Sequence, residues 1–555
     1  MTGLIVPCAL ILIPCEEGPT PYLFKSSSSV AMRYFLALLV ISVTLFVGVG
    51  PVASQTNPAD EENWGEPGDM LYPGDGGDFD GEQLDPVPPD PGEWPPRLDD
   101  LVKVAPPQVQ GTHLRDQIRS IIPWVIFVRR EIHRNPELGF REFRTSTLVA
   151  RALQDMGYSV RTRVGRTGIV ATLEGGRPGR TIVYRADMDA LPIKELTGLP
   201  YASIRHTRIS APESRPAPWA MHACGHDMHV AVLLGAARIL SSHRDALPGR
   251  LVFLVQPAEE LGKGAQSMIE DGAFRDRRPD AILGLHVFQS LATGEVGFIR
   301  GTATANIDNV KIIAIGAGGH GAYPHLAIDP IVIGARIVLA LQILTAREID
   351  PHDPAVITVG SFRAGLRSNV IPSHAELRLT VRTLDEAVRK RLLRRITRTV
   401  KGISESAGAP APVIVVGENP TPAGVNDPEL SDECQLILES VVGTENVIEE
   451  PAAMGGEDFY RFSVVAPTFM FRLGVTPRDK LRRSENIPGI HSGKFVPDED
   501  ALPIGIEAVT RLLEHLLEPV FRASPGNSSF RRPGPPAGND RFPRPRVSPE
   551  PSREP

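Results

Sequence analysis

From about residue 106 to about residue 522, short apolar runs alternate with amphipathic helical stretches, the pattern of an α/β sheet covered by helices on both faces. Strand character is read at Ile169–Leu173, Thr181–Ala186, Leu251–Gln256, Ala281–Val287 and Thr468–Leu473. Helical periodicity is read over Leu114–His133, Thr145–Met156, His229–Ser241, Leu430–Val442 and Ala501–Leu517. The stretch from about Asn306 to Val416 has a rhythm of its own. It predicts strands at Val310–Ile315, Ala355–Phe362, Ala375–Arg382 and Val413–Val416, with helices at Pro330–Arg347 and Leu384–Ala407. That order, strand-helix-strand-strand-helix-strand, predicts a ferredoxin-like insert. The expected architecture is a two-domain α/β chain. A discontinuous larger domain spans 106–305 and 418–522, and an inserted α+β lid spans 306–417.

The flanks have no such pattern. Residues 55–105 are acidic and rich in Pro and Gly, and residues 523–555 are rich in Pro and Arg, so both are expected to be disordered. Ahead of them, within the leader 1–54, MRYFLALLVISVTLFVGVGPVASQ begins at Met32 with one arginine and an apolar run from Phe35 to Val49. Val52-Ala53-Ser54 follow as a small-residue cleavage pattern, which predicts a signal peptide and a secreted or periplasmic product. The alternative is an uncleaved membrane anchor, for which the run is slightly short. After cleavage only Cys224 and Cys434 of the four cysteines remain, too few for a disulfide framework. A formal net charge of -7 with no basic patch in the folded region argues against a nucleic-acid partner.

The densest group of metal-binding side chains is MHACGHDMH, Met221 to His229, just before an apolar helix. Cys224 and His226 stand two apart on a segment expected to be non-helical, where a thiolate and an imidazole can converge on one cation. Alone, the pair reads more readily as a core thiol beside a solvated loop histidine. Other residues change the balance. Asp187 and Asp189 lie just past one predicted strand, Glu259 and Glu260 just past a second, and His286 near the end of a third. Ligands in open α/β sheets bind outside the carboxyl ends of strands, so these groups are expected to share one crevice. Two adjacent glutamates there divide two tasks, one coordinating a cation and one accepting a proton from its water. This is amide-hydrolysis chemistry, and the chain has no Gly-x-Ser-x-Gly elbow to supply a covalent nucleophile.

With these residues in view, the chain resembles the metallo-amidohydrolases of peptidase family M20, subfamily D, which include aminoacylases, hippurate hydrolases and auxin-amino acid conjugate hydrolases. The resemblance runs from about Ile121 to Leu517. It is carried by HRNPELGFREFRTS, RADMDALPIKE, MHACGHDMH, QPAEE, GLHV, GGHGAYPH, NVIP, MGGEDF and HSGKF, in that order. It implies a zinc-exopeptidase-like mixed sheet flanked by helices, with the insert as lid and dimerisation domain. It further implies two divalent metal ions, zinc or manganese with nickel or cobalt as alternatives, bound by Cys224, His226, Glu260, His286 and His491. Cys224 would be the bridge, Glu259 the base that activates the bridging water, and Asp189 a support that orients a ligand. His320 matches a histidine that stabilises the developing oxyanion, often from a partner subunit. Asn369 matches a lid residue that contacts substrate, and Arg382 is the candidate for gripping a substrate carboxylate.

The expected activity is therefore hydrolysis of N-acyl amino acids or related small amides by a homodimer without a stable membrane span. Alternatives are a metallo-carboxypeptidase or dipeptidase, a non-catalytic ligand-binding relative, and a redox thiol protein. The last would need a resolving cysteine beside Cys224. One departure stands beside the metal loop: between Ser203 and Met221 the chain carries IRHTRISAPESRPAPWA in place of a short turn.

Overall fold

The structure, a computed structural model, describes residues 105–203, 219–417, 420–483 and 486–519. The leader, nearly all of the acidic spacer, the Pro/Arg-rich tail and nearly all of the insertion before Met221 lie outside the described residues.

The larger sheet has eight strands, in spatial order Ser159–Val164, Gly168–Glu174, Pro248–Gln256, Arg177–Asp187, Ala281–Ala292, Thr468–Thr476, Val296–Phe298 and Val447–Glu449. It is mixed, but the run from Pro248–Gln256 through Thr468–Thr476 is parallel, so these four strands end at one edge. Alternation of side chains sorts their apolar residues onto two faces. Leu251, Phe253 and Val255 face one core with Ile182 and Tyr184, while Val252 and Leu254 face a second with Val183 and Ile282. The first core is closed by the helices Leu114–Arg134, Phe143–Asp155, His226–Ser242 and Ala501–Leu517. The third of these is buried almost all round, as a central helix apolar on every side must be.

That central helix corrects one expectation. It begins at His226, not at His229, so only Cys224 of the pair is outside it. The cause is Gly225, which caps the helix at φ 83 and lies so close to the Ala281–Ala292 strand that a Cβ would come within 2.4 Å of Val287 Cγ2. No other residue type meets both demands.

The second sheet has four antiparallel strands in the order Ala355–Ala364, His374–Thr383, Asn306–Ile315 and Val413–Val416. With the helices Pro330–Arg347 and Glu386–Ser406 this is the expected βαββαβ unit, and its residues interrupt the chain between strands of the larger sheet. Asp329 and Asp385 cap the two helices through the amides of Ile331 and Val388. The unit has its own core of Ile312, Ile337, Leu377 and Ile396. By length and composition Pro330–Arg347 is apolar enough to cross a membrane, but one of its faces, with Ile333, Ile337 and Leu341, packs in this core. The opposite side leaves Val332, Leu339 and Ile343 exposed.

Candidate functional site

Five segments meet at the strand-end edge of the larger sheet. Asp187 closes the Arg177–Asp187 strand and Asp189 follows it. Glu259 and Glu260 sit in the turn after Pro248–Gln256, and Cys224 and His226 stand at the mouth of the central helix. His286 lies within Ala281–Ala292 and not near its end, because the strand runs on beyond the expected Val287. His491 comes from a loop near the end of the chain, in a left-handed conformation at φ 65. A β-substituted residue held there is strained, and such strain gathers at sites whose geometry matters more than local stability.

The side chains converge. Cys224 Sγ lies 3.4 Å from His286 Nε2, His491 Nε2 lies 3.5 Å from Glu260 Oε1, and His226 Nε2 lies 3.4 Å from Asp187 Oδ2. Two sets of donor atoms, Cys224/His226/His286 and Cys224/Glu260/His491, each lie within 4.8 Å of one another, and both contain Cys224. The far sides of the imidazoles are fixed by acceptors. His226 Nδ1 donates to the Asp189 carbonyl at 2.8 Å and His286 Nδ1 donates to the Val287 carbonyl at 2.7 Å, so both turn the Nε2 lone pair into the site. The Asp189 carboxylate then accepts the amides of Glu259 and Glu260, each at 3.1 Å, which ties the glutamate pair to the histidine.

Two buried atoms in this ring, His226 Nε2 and Glu260 Oε1, have no hydrogen-bond partner. A buried polar atom without a partner is costly, and here both face the shared thiol. Thiolate, imidazole and carboxylate are the donors a borderline divalent cation takes, so the residues fit a pair of such ions with Cys224 common to both. The electrostatics agree. Burial, with Glu260 and Glu259 adding to it, pushes the Cys224 thiol well up. Burial alone would lower His226, but Asp187, Asp189 and Glu260 outweigh it and hold the imidazolium up to about 10. Burial followed by Glu457 and Glu260 raises Glu259 well above the usual carboxylate range, and Glu260 is pushed up to about 7. Without cations, protonated Glu259 and partly protonated Glu260 are favoured, while Asp187, beside Arg185, His226 and His229, stays ionised.

The remaining three expected residues belong to the four-stranded unit. His320 is exposed, pairs in register with Val370, and accepts the Ala322 amide on Nδ1 at 3.1 Å. Asn369 is exposed on the neighbouring turn, and its carbonyl accepts the Gly321 amide at 2.8 Å. Arg382 donates to the Met454 carbonyl at 2.9 Å and so ties this unit to the MGGEDF segment. Among the described residues, none of the three bonds to the cluster around Cys224.

Residues 183–515 match Peptidase family M20/M25/M40. The chain belongs to this family. Among its M20 relatives, "Thermostable carboxypeptidase 1" of Saccharolobus solfataricus is 40% identical over 395 residues, covering 71% of this chain and 95% of that protein. The "N-acyl-L-amino acid amidohydrolase" of Geobacillus stearothermophilus is 41% identical over 298 residues, covering 53% of this chain and 76% of that protein. Among solved structures, the YXEP protein of Bacillus subtilis, described as a dinuclear metal binding peptidase from the M20 family, superposes with a TM-score of 0.59 at 29% identity. The match covers 72% of this chain and 99% of that one. Membership makes the chain a hydrolase.

The M20 site also contains residues that sequence reasoning left without a role. Arg185 is fully buried and bonds Gln256, Asp187 and Glu457 at 2.8, 2.9 and 3.0 Å. Glu457 and Asp458, quoted within MGGEDF but given no task, lie with Glu259 in a group whose oxygens are within 4.8 Å of one another. His229 donates to Asp187 at 2.6 Å and accepts the Val287 amide at 2.9 Å, so it buttresses the peptide that orients His286. A signal for Arg185 was present: an arginine inside an apolar strand cannot be buried without carboxylate partners.

Proposed function

We propose that the chain hydrolyses the amide bond of N-acyl amino acids, with two divalent ions, zinc or manganese first, held by Cys224, His226, Glu260, His286 and His491. The two donor sets that share Cys224, with Glu259 beside them and free of both, carry this reading. Bound there, the ions would lower the pKa of a water from ~16 towards ~7 and polarise the scissile carbonyl.

The chain's own residues supply the rest. Glu259 takes the proton of the attacking water and then delivers it to the leaving amine, as the carbon–oxygen bond forms and the carbon–nitrogen bond breaks. Glu457 and Asp458 lie behind it, where their carboxylates favour the protonated carboxyl that the second transfer needs. Asp189 holds the glutamate turn and His226 in one frame. Because His320 accepts the Ala322 amide on Nδ1, its proton sits on Nε2, the donor an oxyanion requires. Asn369 contacts substrate beside it, and the donors that Arg382 does not give to Met454 grip a substrate carboxylate.

A second reading, carboxypeptidase or dipeptidase action, is favoured by the similarity to the carboxypeptidases of Saccharolobus solfataricus. Metal analysis of the purified chain, with turnover of N-acetyl and N-benzoyl amino acids measured against dipeptides, separates the two. Two metals per chain and faster acyl-amino-acid turnover are expected; faster dipeptide turnover would favour the second reading. The lid unit is proposed to dimerise through the uncovered face of Pro330–Arg347 and the edge strand Ala355–Ala364, supported by exposed Val332, Leu339 and Ile343. Leu339→Glu should then sediment as a monomer; an unchanged sedimentation profile rules this face out. Export, proposed from the Met32 leader alone, is tested by the N-terminal residue of the mature protein.

A further inference from the structure

Five non-glycine residues of the described chain have a left-handed backbone, and two of them, Phe140 and Ala258, are held by one carboxyl group. Glu142, fully buried, accepts the Phe140 amide at 2.9 Å and the Ala258 amide at 2.8 Å on the same oxygen, Oε1. Its other oxygen accepts the Thr167 hydroxyl at 2.5 Å. Phe140 is at φ 62 and Ala258 at φ 50, conformations a residue with a Cβ leaves unless its surroundings hold it. The two segments also touch directly, since a Cβ on Gly139 would lie 3.1 Å from both Ala258 Cα and Ala258 Cβ.

Ala258 is the residue before Glu259. Its carbonyl accepts the Gly264 amide at 3.1 Å, and Glu259 and Glu260 open the turn that follows. The ψ and φ angles at this one residue therefore set the direction in which the glutamate pair leaves the strand. Asp189 holds the turn from the far side. Among the described residues, Glu142 is the side chain that holds the near side.

We propose that Glu142 is a positioning residue, whose buried carboxyl keeps Ala258 left-handed and thereby aims Glu259 at the reacting water. The inference rests on the reading of Glu259 as base. It also explains why an acid is buried beside a site already crowded with acids. Burial, with Asp189 adding to it, pushes Glu142 up to about 8, so near neutrality the group is largely uncharged and adds little repulsion.

The test uses the full chain and three variants: Glu142→Ala, Glu142→Gln, and Glu142→Ala combined with Ala258→Gly. Glutamine keeps an acceptor for both amides and turns its NH2 to the Thr167 hydroxyl, so Glu142→Gln should retain kcat within ~5-fold. Glu142→Ala should lose ~100-fold in kcat with KM within ~3-fold, the mark of a displaced group and not of lost binding. Glycine adopts φ 50 without strain, so adding Ala258→Gly should recover at least ~10-fold of that loss. A residue that merely stabilised the fold would show no such rescue. In the metal-free protein, amide exchange at Glu259 and Glu260 should rise by at least ~10-fold in Glu142→Ala and stay near wild type in Glu142→Gln. Wild-type kcat and exchange in Glu142→Ala, equal loss in a folded Glu142→Gln, or no rescue by Ala258→Gly would each overturn the proposal. If Glu142→Ala does not fold, the glutamine and double variants decide. Should the wild type turn over no substrate, the proposed function fails while amide exchange still decides this point.

Discussion

Around the strand ends of the larger sheet Arg185, Asp187, His226 and His229 are fully buried, and Asp187 bonds both Arg185 and His229, whereas in the four-stranded unit His320 and Asn369 stand exposed. The two regions belong to one chain, yet these groups are held in opposite ways. A buried charge is tolerated only when its partners are already in place, so the first sheet holds its chemistry in a fixed frame. An exposed imidazole has no such obligation, and under the proposed function the partner of His320 is the substrate oxyanion. Under the proposed function, bond-breaking falls to the first region and recognition, with transition-state help, to the second.

Removing the base should have the largest effect. Glu259→Gln keeps the shape of the side chain, and it should hold metal at wild-type stoichiometry while turnover falls ~1,000-fold or more. Near-normal turnover would move the base elsewhere and break the division between the sheets. In the four-stranded unit, His320→Ala should lower kcat by ~100-fold or more with metal content unchanged. If kcat does not move, the four-stranded unit is a scaffold only. Asp189→Asn replaces an acceptor of the Glu259 and Glu260 amides by a donor. Metal affinity measured against a competing chelator should weaken by ~10-fold to ~100-fold.

The smallest effect is in protons. At pH 7 the cation-free site holds a proton on His226, whose carboxylate neighbours hold it up to about 10, and part of one on Glu260 near 7. Ligation requires the deprotonated forms, so metal loading should release protons, and affinity should fall as pH drops. Calorimetry in buffers of different ionisation enthalpy reads this directly; no buffer dependence would mean the acids are not neutralised as described.

The elements of the fold could be read where local pattern decides them. Ala501–Leu517 and Pro330–Arg347 have the expected ends, because apolar periodicity stops there and Asp329 caps the second. The acids after Arg177–Asp187 and Pro248–Gln256 were found because strand ends have a general use. His226 was misplaced outside the helix since the cause, a close approach of Gly225 to Val287, joins segments far apart in the chain. Arg185 pairs with Glu457 across a separation of 272 residues and Glu142 with Ala258 across 116, and no window of sequence reports such pairs.

The four-stranded unit lies between the segments that supply the first ligands and the loop that carries His491. In the order of synthesis, Cys224, His226, Glu260 and His286 leave the ribosome first, and the last proposed ligand follows only when the second sheet is complete. A nascent chain can offer a half-built thiolate pocket but not a closed one. Under the proposed ligand set, capture of both cations becomes a late event in biogenesis, and a prematurely terminated chain would be marked by the metal it fails to keep.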